Sequence, residues 1–389
     1  MKPTYKTTIF ACFVGYIVQA IVNNFAPLLF ITFQNTYNIP LSQITLLVTI
    51  NFGVQLTVDL LSTLFVDKIG YRTSIVIAQF FSAAGLILLT VLPEVMPPFA
   101  GILLAVIVYA IGGGIIEVLI SPIMESCPTD NKEKAMSLLH SFYCWGHVGV
   151  VLISTAFFTI FSIENWRILA YVWALIPLIN SVIFIKTPIA PLIADGEKGM
   201  TLAELFKSKI FWLLVVMMVC SGACEQAVSQ WASAFAEIGL GISKTAGDLA
   251  GPMTFAVLMG GARAFYGKYG DKINLDKFMA GSAALCVASY LLASLVPNPI
   301  VNLIGCAVCG FSVGIMWPGT FSRAASTLRT GGTAMFALLA LAGDLGCSAG
   351  PTLVGFVSDN AGGNMKAGIF AATLFPAVML VCLLPKKKK

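Results

Sequence analysis

The sequence TLFVDKIGYR at residues 63–72 reappears in altered form as GKYGDKIN at residues 267–274. Both copies contain Asp-Lys-Ile, which begins at Asp67 in the first copy and at Asp271 in the second, 204 residues later. Each copy forms a short charged link between two long apolar runs. The recurrence predicts a chain built from two related halves, with an acidic turn at the same place in each.

The apolar runs on either side of these links are typical of a membrane protein. Hydrophobic residues make up 58% of the 389 residues and charged residues only 11%, against about 25% charged in soluble domains. A run of about 20 apolar residues crosses the ~30 Å hydrocarbon core as a helix. We predict an all-α fold of twelve transmembrane helices in two pseudo-symmetric halves of six. The predicted spans are 8–32, 43–65, 73–92, 99–122, 136–161, 167–185, 210–236, 247–267, 277–296, 300–322, 333–357 and 366–384.

One longer link divides the twelve spans. It is charged, contains Pro191 and Gly196, and ends with Lys207 and Lys209. The predicted organisation is an N-terminal half at 1–190, a cytoplasmic linker at 191–209 and a C-terminal half at 210–389. The apolar run that follows Lys2 and Lys6 continues past any signal-peptide cleavage site, so we expect an uncleaved first helix.

The basic residues give the orientation. With a cytoplasmic N-terminus, 19 of the 23 Lys and Arg residues fall in cytoplasmic segments, including the C-terminal run at 386–389. Positive charge is enriched on the cytoplasmic side of membrane proteins. We therefore expect a multi-pass protein of the cell inner (plasma) membrane with both termini in the cytoplasm, and we interpret the terminal lysines as an anchor or lipid contact rather than a nucleic-acid site.

Four acidic residues lie well inside the apolar spans, away from the span ends, and they are accompanied there by one arginine, Arg263. An ionised side chain in the bilayer costs several kcal/mol unless it is paired or faces water, so such residues indicate function. Burial and repulsion between like charges favour the neutral form of some of these carboxyl groups. A carboxyl group that changes charge suits proton coupling, and the alternative is a protonated carboxyl that bonds two helices together. The predicted proton-coupling residues are Asp59, Glu117, Glu225 and Asp344.

Other polar residues lie on the same helix faces as these acids. Asn51, Gln55 and Asp59 follow one another at intervals of four residues, which places them on one face of a helix. Such stripes indicate the interior of a bundle or a water-filled cavity. With two histidines and no ligand spacing, neither a metal site nor a cofactor is predicted. The predicted solute-binding residues are Gln19, Asn23, Asn24, Asn51, Gln55, His140, Phe142, Trp145, Gln226, Gln230, Trp231, Arg263 and Trp317.

The repeated segments resemble the cytoplasmic G-x-x-x-D-R/K-x-G-R/K signature of the major facilitator superfamily. Thr63 replaces the first Gly of the signature in one copy, and Asn274 replaces the later Gly in the other. The resemblance implies two six-helix halves around a central site. An acid at a tight cytoplasmic turn can pair with a facing helix N-terminus or an arginine in one state only. The predicted gating residues are Asp67, Lys68, Arg72, Asp271 and Lys272.

The fourth and fifth predicted helices resemble one group within that superfamily, the fucose–proton symporters. GIIEVLISP at 114–122 has a Glu five residues before a Pro, and HSFYCWG at 140–146 is similar to the following segment. The resemblance implies that Glu117 carries the proton. Where these symporters have an acid in the first helix, this chain has Asn23 or Asn24. Glu225 with Trp231, Arg263 and Trp317-Pro318 resemble second-half features of the wider sugar permeases.

These observations favour a secondary transporter over an enzyme. We expect a proton symporter that carries a small polar solute such as a sugar, with protons and membrane lipid as its other partners, and we expect a monomer. An alternative is proton-coupled export of amphipathic compounds, which 14 Met and 27 Phe residues also suit. A membrane-embedded enzyme or a non-transporting sensor is a further alternative. The sequence contains neither a buried Asp pair nor a metal-ligand pattern that would favour an enzyme.

Overall fold

The computed structural model describes residues 4–39, 41–190, 199–229, 253–362 and 364–384. Regular structure within these ranges is entirely helical. The helices of the first part of the chain are α1 (Tyr5–Asn24), α2 (Phe30–Tyr37), α3 (Leu41–Ile69), α4 (Tyr71–Val95), α5 (Pro98–Ser126), α6 (Lys132–Phe161) and α7 (Trp166–Lys186). The remainder comprises α8 (Leu202–Lys207), α9 (Lys209–Ser229), α10 (Thr254–Tyr269), α11 (Leu275–Leu295), α12 (Pro299–Val313), α13 (Met316–Thr327), α14 (Gly332–Asn360), α15 (Met365–Ala372) and α16 (Leu374–Leu383).

Contacts between residues divide the chain into two compact units. Unit 1 consists of Met1–Pro128, Phe142–Lys198 and Gly332–Leu338. Unit 2 consists of Thr129–Ser141, Gly199–Gly331 and Leu339–Lys389. The first turns of α6 therefore belong to unit 2, although the rest of that helix belongs to unit 1.

Unit 1 is packed around α5, which contacts α1, α3 and α4. Small residues allow these helices to approach closely, as is common where helices associate in a membrane. A methyl group at Gly85 on α4 would lie 2.8 Å from the Cα atom of Tyr109 on α5. This contact leaves no room for a larger residue at position 85.

Unit 2 follows the same packing rule with different helices. Helix α12 contacts α10 and α11, and α9 contacts α13 and α16. A methyl group at Gly310 on α12 would lie 2.9 Å from the Cα atom of Phe255 on α10. Close packing of backbones therefore fixes where the polar side chains of each unit lie.

Many large apolar residues remain exposed, as expected of a surface that contacts lipid. Phe80, Ile160 and Val381 expose 60%, 71% and 68% of their surface. Ten helical segments among the described residues are long and apolar enough to cross a membrane, judged by length and composition alone. Helix α3 covers the predicted span 43–65, and α10 covers residues 254–267 of the span predicted at 247–267, whose first residues lie outside the described ranges. Neither helix is among these ten.

Prolines interrupt two of the predicted spans. The span predicted at 8–32 changes from α1 to a 3₁₀ turn at Ala26–Leu29, which contains Pro27. The span predicted at 300–322 is divided between α12 and α13, and α13 contains Pro318 near its start. Proline has no backbone N–H, so it removes one hydrogen bond to the carbonyl four residues earlier. At Pro318 that carbonyl belongs to Gly314, which is important for the polar site of unit 2.

Candidate functional site

Unit 1 contains a buried group of amide side chains next to Glu117, which we call the carboxamide cluster. It consists of Gln19, Asn23, Asn51, Gln55 and Glu117. Gln19 Nε2 donates to Glu117 Oε2 at 3.0 Å and lies 3.5 Å from Gln55 Oε1. Helices α1, α3 and α5 each supply at least one member. The structure therefore brings together five residues that the sequence predicted separately.

Asn23 Oδ1 accepts hydrogen bonds from two amide groups of this cluster. Gln55 Nε2 donates to Asn23 Oδ1 at 2.8 Å, and Asn51 Nδ2 donates to the same oxygen at 3.4 Å. Gln19, Gln55 and Asn51 expose only 2%, 1% and 7% of their surface. Close to this cluster in sequence, a hydrogen bond of 2.9 Å between Tyr16 Oη and Ser121 Oγ joins α1 to α5.

The small residue Gly113 makes room for the carboxamide cluster. A methyl group at this position would lie 3.4 Å from Gln19 Oε1 and 3.2 Å from Val22 Cγ1. Gly113 precedes Glu117 by four residues, so both lie on one face of α5. The sequence therefore combines a carboxyl group and the space for its amide neighbours within one helical turn.

Unit 2 contains a different arrangement around Glu225, which we call the ion-pair cluster. Arg263 Nη2 lies 3.1 Å from Glu225 Oε2, and both side chains are almost fully buried. Arg263 Nε donates to the carbonyl oxygen of Gly314 at 2.8 Å, and Nη1 donates to that of His140 at 3.1 Å. The guanidinium of Arg263, which lies on α10, thus contacts α9 through Glu225, α6 through His140 and the end of α12 through Gly314.

The Gly314 carbonyl is available because of Pro318. A residue with an N–H at position 318 would donate to this carbonyl in a regular helix, but proline cannot. Arg263 supplies the missing donor. Burying an arginine is costly unless its donors are satisfied, and the interrupted helix provides one of the acceptors.

Other predicted solute-binding residues of unit 2 lie near this pair or on the same helices. Gln226 Nε2 is 3.5 Å from Glu225 Oε1. The ring centroid of Phe321 lies 5.8 Å from that of His140 and 6.3 Å from that of Trp317. Trp317 also covers Gly343, where a methyl group would lie 2.8 Å from its Cζ2 atom. Asp344, the next residue, is 8% exposed.

Several predicted residues lie elsewhere in unit 1 or outside the described residues. Asn24 Nδ2 donates to the carbonyl of Ala20 in its own helix at 2.8 Å, so it is not part of the carboxamide cluster. Trp145 exposes 40% of its surface, and Phe142 stacks on Phe13 with 4.3 Å between ring centroids. Asp59 is completely buried on α3. Gln230 and Trp231 lie outside the described residues.

In the first copy of the repeated turn, Arg72 contacts the C-terminal end of α7. Gly70 has a φ of +88°, a conformation that favours glycine, and it separates α3 from α4. Arg72 Nη1 donates to the carbonyls of Phe184 and Ile185 at 3.1 and 2.6 Å. A cation at the C-terminus of α7 also complements the helix dipole. Lys68 is exposed, and the side chain of Asp67 lies outside the part of the structure that is described.

The second copy of the turn pairs with the start of α6. Asp271 forms an ion pair with Lys134 and accepts a hydrogen bond from Asn131 Nδ2 at 2.9 Å. The bond from Lys134, and next that from Asn131, holds the pKa of Asp271 below its usual range. The sequence pattern predicted Asp271 as a gating residue but did not predict its two partners, Lys134 and Asn131. Lys272 is exposed.

A second exposed ion pair follows the Asp271 turn. Arg323 Nη1 lies 3.0 Å from Asp276 Oδ1. Asp276 is five residues beyond Asp271, as Arg72 is five beyond Asp67 in the first copy. The two copies therefore carry opposite charges at this position. Within the described residues, no group of three or more His, Cys, Asp or Glu side chains is arranged to hold a metal ion.

The sequence profile of the Major Facilitator Superfamily matches residues 8–351. The chain therefore belongs to this superfamily and is a multi-pass membrane transporter, which confirms the predicted resemblance. No curated protein sequence matches the chain.

Three solved transporter structures are similar to this one over nearly the whole chain. FucP in its outward conformation has a TM-score of 0.84 and 17% identity, with 97% of this chain and 98% of FucP covered. The proton:xylose symporter XylE has a TM-score of 0.77 and 14% identity, covering 97% and 94%. The human organic anion transporter MFSD10 has a TM-score of 0.75 and 14% identity, covering 98% and 99%. At these identities the similarity shows the fold alone.

Proposed function

We propose that this chain is a proton-coupled symporter that carries a small polar solute, such as a sugar, across the inner membrane by alternating access. In this proposal twelve helices form two halves joined by the linker at 191–209, both termini are cytoplasmic, and the protein works as a monomer. Fucose–proton and xylose–proton symporters among the structural neighbours support the proposal.

The hydrogen bond from Gln19 to Glu117 is the observation that carries the proposal. An amide N–H can donate to a carboxylate, and it can also donate to the carbonyl oxygen of a protonated carboxyl group. Glu117 can therefore gain or lose a proton and keep this contact. We propose that Glu117 carries the coupled proton and that the neighbouring amides bind the solute.

The ion-pair cluster has a different role in this proposal. Protonation of Glu225 would leave Arg263 with an uncompensated charge in a buried site, which costs several kcal/mol. We therefore propose that Glu225 holds Arg263 in place through this ion pair. Asp59 and Asp344, both buried, are secondary candidates for proton coupling. Asp271 and Arg72 are the proposed gating residues.

Uptake of radiolabelled hexoses into proteoliposomes tests the proposal. An inward proton gradient should drive the wild type to accumulate a hexose above its external concentration. Glu117→Gln should exchange the hexose across the membrane but should not accumulate it, because the glutamine keeps the hydrogen bond and cannot titrate. Glu164→Gln is the matched control, since Glu164 is an exposed acid of the same unit.

The outcomes separate coupling from transport. Accumulation by Glu117→Gln equal to that of the wild type would show that another group carries the proton. Uptake by the wild type that ignores the gradient would contradict coupling and leave a passive carrier. The absence of uptake for every hexose would contradict the proposed solute class.

A further inference from the structure

A small cavity lies beside the carboxamide cluster in unit 1. Its volume is about 30 Å³, and about 10–15 Å³ is enough to hold a water-sized group. Most of its lining residues are apolar, and two are asparagines. The lining residues that matter here are the apolar or aromatic Val22, Leu47, Phe52 and Tyr109 and the polar Asn23 and Asn51.

The hydrogen bonds of the two asparagines leave one acceptor unused. Asn23 Oδ1 accepts from both Gln55 Nε2 and Asn51 Nδ2. Asn51 Nδ2 thus donates one of its two N–H groups, while Asn51 Oδ1 is buried and accepts no hydrogen bond in the described part of the chain. A buried carbonyl without a donor destabilises a protein, so the cavity favours a ligand that provides one.

The number of acceptors and the apolar walls restrict the chemistry of that ligand. An ammonium group has three donors and a charge, and its burial requires several acceptors. A carboxylate has only acceptors, so it would leave Asn51 Oδ1 without a donor. A methyl group fits the walls but leaves Asn51 Oδ1 without a partner. A hydroxymethyl group has one O–H donor and one CH₂ group, which match the single acceptor and the walls.

We propose that this cavity binds a neutral hydroxymethyl arm of the transported solute, whose hydroxyl donates to Asn51 Oδ1. The proposal rests on the proposed function and narrows its solute class to polyols that carry such an arm. An analogue with a methyl group in its place should bind at least about tenfold more weakly, because a buried acceptor is then left unpaired.

Pairs of hexoses that differ only at this arm provide the test. We would measure binding of each aldohexose and its 6-deoxy counterpart to the purified protein by isothermal titration calorimetry. The wild type should prefer the hydroxymethyl member of at least one pair by about tenfold or more. Asn51→Leu should bind the two members with equal affinity, because leucine has a similar volume and no acceptor. Asn51→Ser, which keeps a hydroxyl acceptor, should retain part of the preference.

Gln79→Leu is the matched control. Gln79 is completely buried in the same unit, its amide atoms also have no partner among the described residues, and it does not line the cavity. This variant should keep the full preference. A loss of preference in both leucine variants would show a general effect of altered packing and would overturn the proposal.

Other outcomes overturn this inference without overturning the proposed function. Equal binding of both members by the wild type, with uptake driven by protons, would leave the symporter and remove the hydroxymethyl site. The same holds if Asn51→Leu and Asn51→Ser both keep the wild-type preference. A preference that depends on Asn51, without any uptake in proteoliposomes, would support the site and contradict the symporter.

Discussion

Each of the two units has a glutamate within a long apolar helix, but the two glutamates have chemically different partners. Glu117 in unit 1 accepts a hydrogen bond from the neutral amide of Gln19. Glu225 in unit 2 forms an ion pair with Arg263, which also donates to two backbone carbonyls. The amide contact tolerates both protonation states of a carboxyl group, whereas the ion pair requires the charged one.

In the proposed function, one chain combines a carboxyl group that changes its charge with an ion pair that does not change. Proton coupling needs a carboxyl group whose charge changes at low cost, and helices that move as units need connections that do not change. The carboxamide cluster has the chemistry for the first task, and the ion-pair cluster has the chemistry for the second. Variants that exchange or remove these partners test this difference.

Removing the arginine should have the largest effect. Arg263→Met leaves Glu225 buried without its ion pair and removes the donors to Gly314 and His140. We expect the free energy of unfolding to fall by about 3–5 kcal/mol. Thermal unfolding in detergent, followed by circular dichroism, measures the loss.

Two further variants define the origin of that loss. Arg323→Gln breaks the exposed pair with Asp276 and should cost no more than about 1 kcal/mol. The double variant Glu225→Gln/Arg263→Met should be more stable than Arg263→Met alone, because it removes the unpaired charge. A double variant as unstable as the single one would mean that the backbone contacts, and not the ion pair, provide the stability.

The two glutamates should respond differently to the same substitution. Glu225→Gln leaves Arg263 uncompensated and should destabilise unit 2 by several kcal/mol. Glu117→Gln keeps an acceptor for Gln19 and should change stability by about 1 kcal/mol or less. Equal losses in thermal unfolding would remove the distinction between the two clusters.

A smaller effect is expected from crowding the carboxamide cluster. A methyl group at Gly113 would press on Gln19 Oε1 and Val22, so Gly113→Ala should cost about 1 kcal/mol of stability and weaken solute binding. Gly149→Ala is the control, because nothing lies within 4 Å of the added methyl group there. Calorimetric binding and thermal unfolding of both variants measure the difference, and equal binding by both would argue against a role of this cluster in recognition.

The smallest effect is expected at the exposed turn of unit 2. Because the pKa of Asp271 lies below its usual range, its pair with Lys134 stabilises the fold above the ordinary aspartate pKa and loses this effect as the pH falls through the folded pKa. Asp271→Asn should therefore lower the melting temperature slightly at neutral pH and not in acid, with less difference at high salt. A difference that grows as the pH falls would have the wrong sign.

The sequence predicted which residues belong to the two clusters better than it predicted which of them contact one another. Glu117, Glu225 and Arg263 stand out because charged residues are rare in apolar helices. The spacing of Asn51 and Gln55 predicted a shared face. The pairing of Arg263 with Glu225 and not with Glu117 depends on how the helices pack. No sequence pattern predicted this pairing.

Local rules explain two further details. Asn23 belongs to the cluster and Asn24 does not, because adjacent residues point about 100° apart on a helix, and only packing decides which one faces the other amides. The free carbonyl of Gly314 could have been predicted from Pro318, since proline removes the bond to the residue four positions earlier. Its donor, Arg263, comes from another helix and required the structure.

A measurement of proton movement tests whether Glu117 carries the coupled proton. Proteoliposomes loaded with a pH-sensitive dye are given a hexose that the wild type transports, with no initial pH gradient. If Glu117 carries the proton, the lumen of wild-type vesicles becomes acidic as the hexose enters. In Glu117→Gln the hexose should enter with no change in pH, and acidification equal to that of the wild type would contradict the claim.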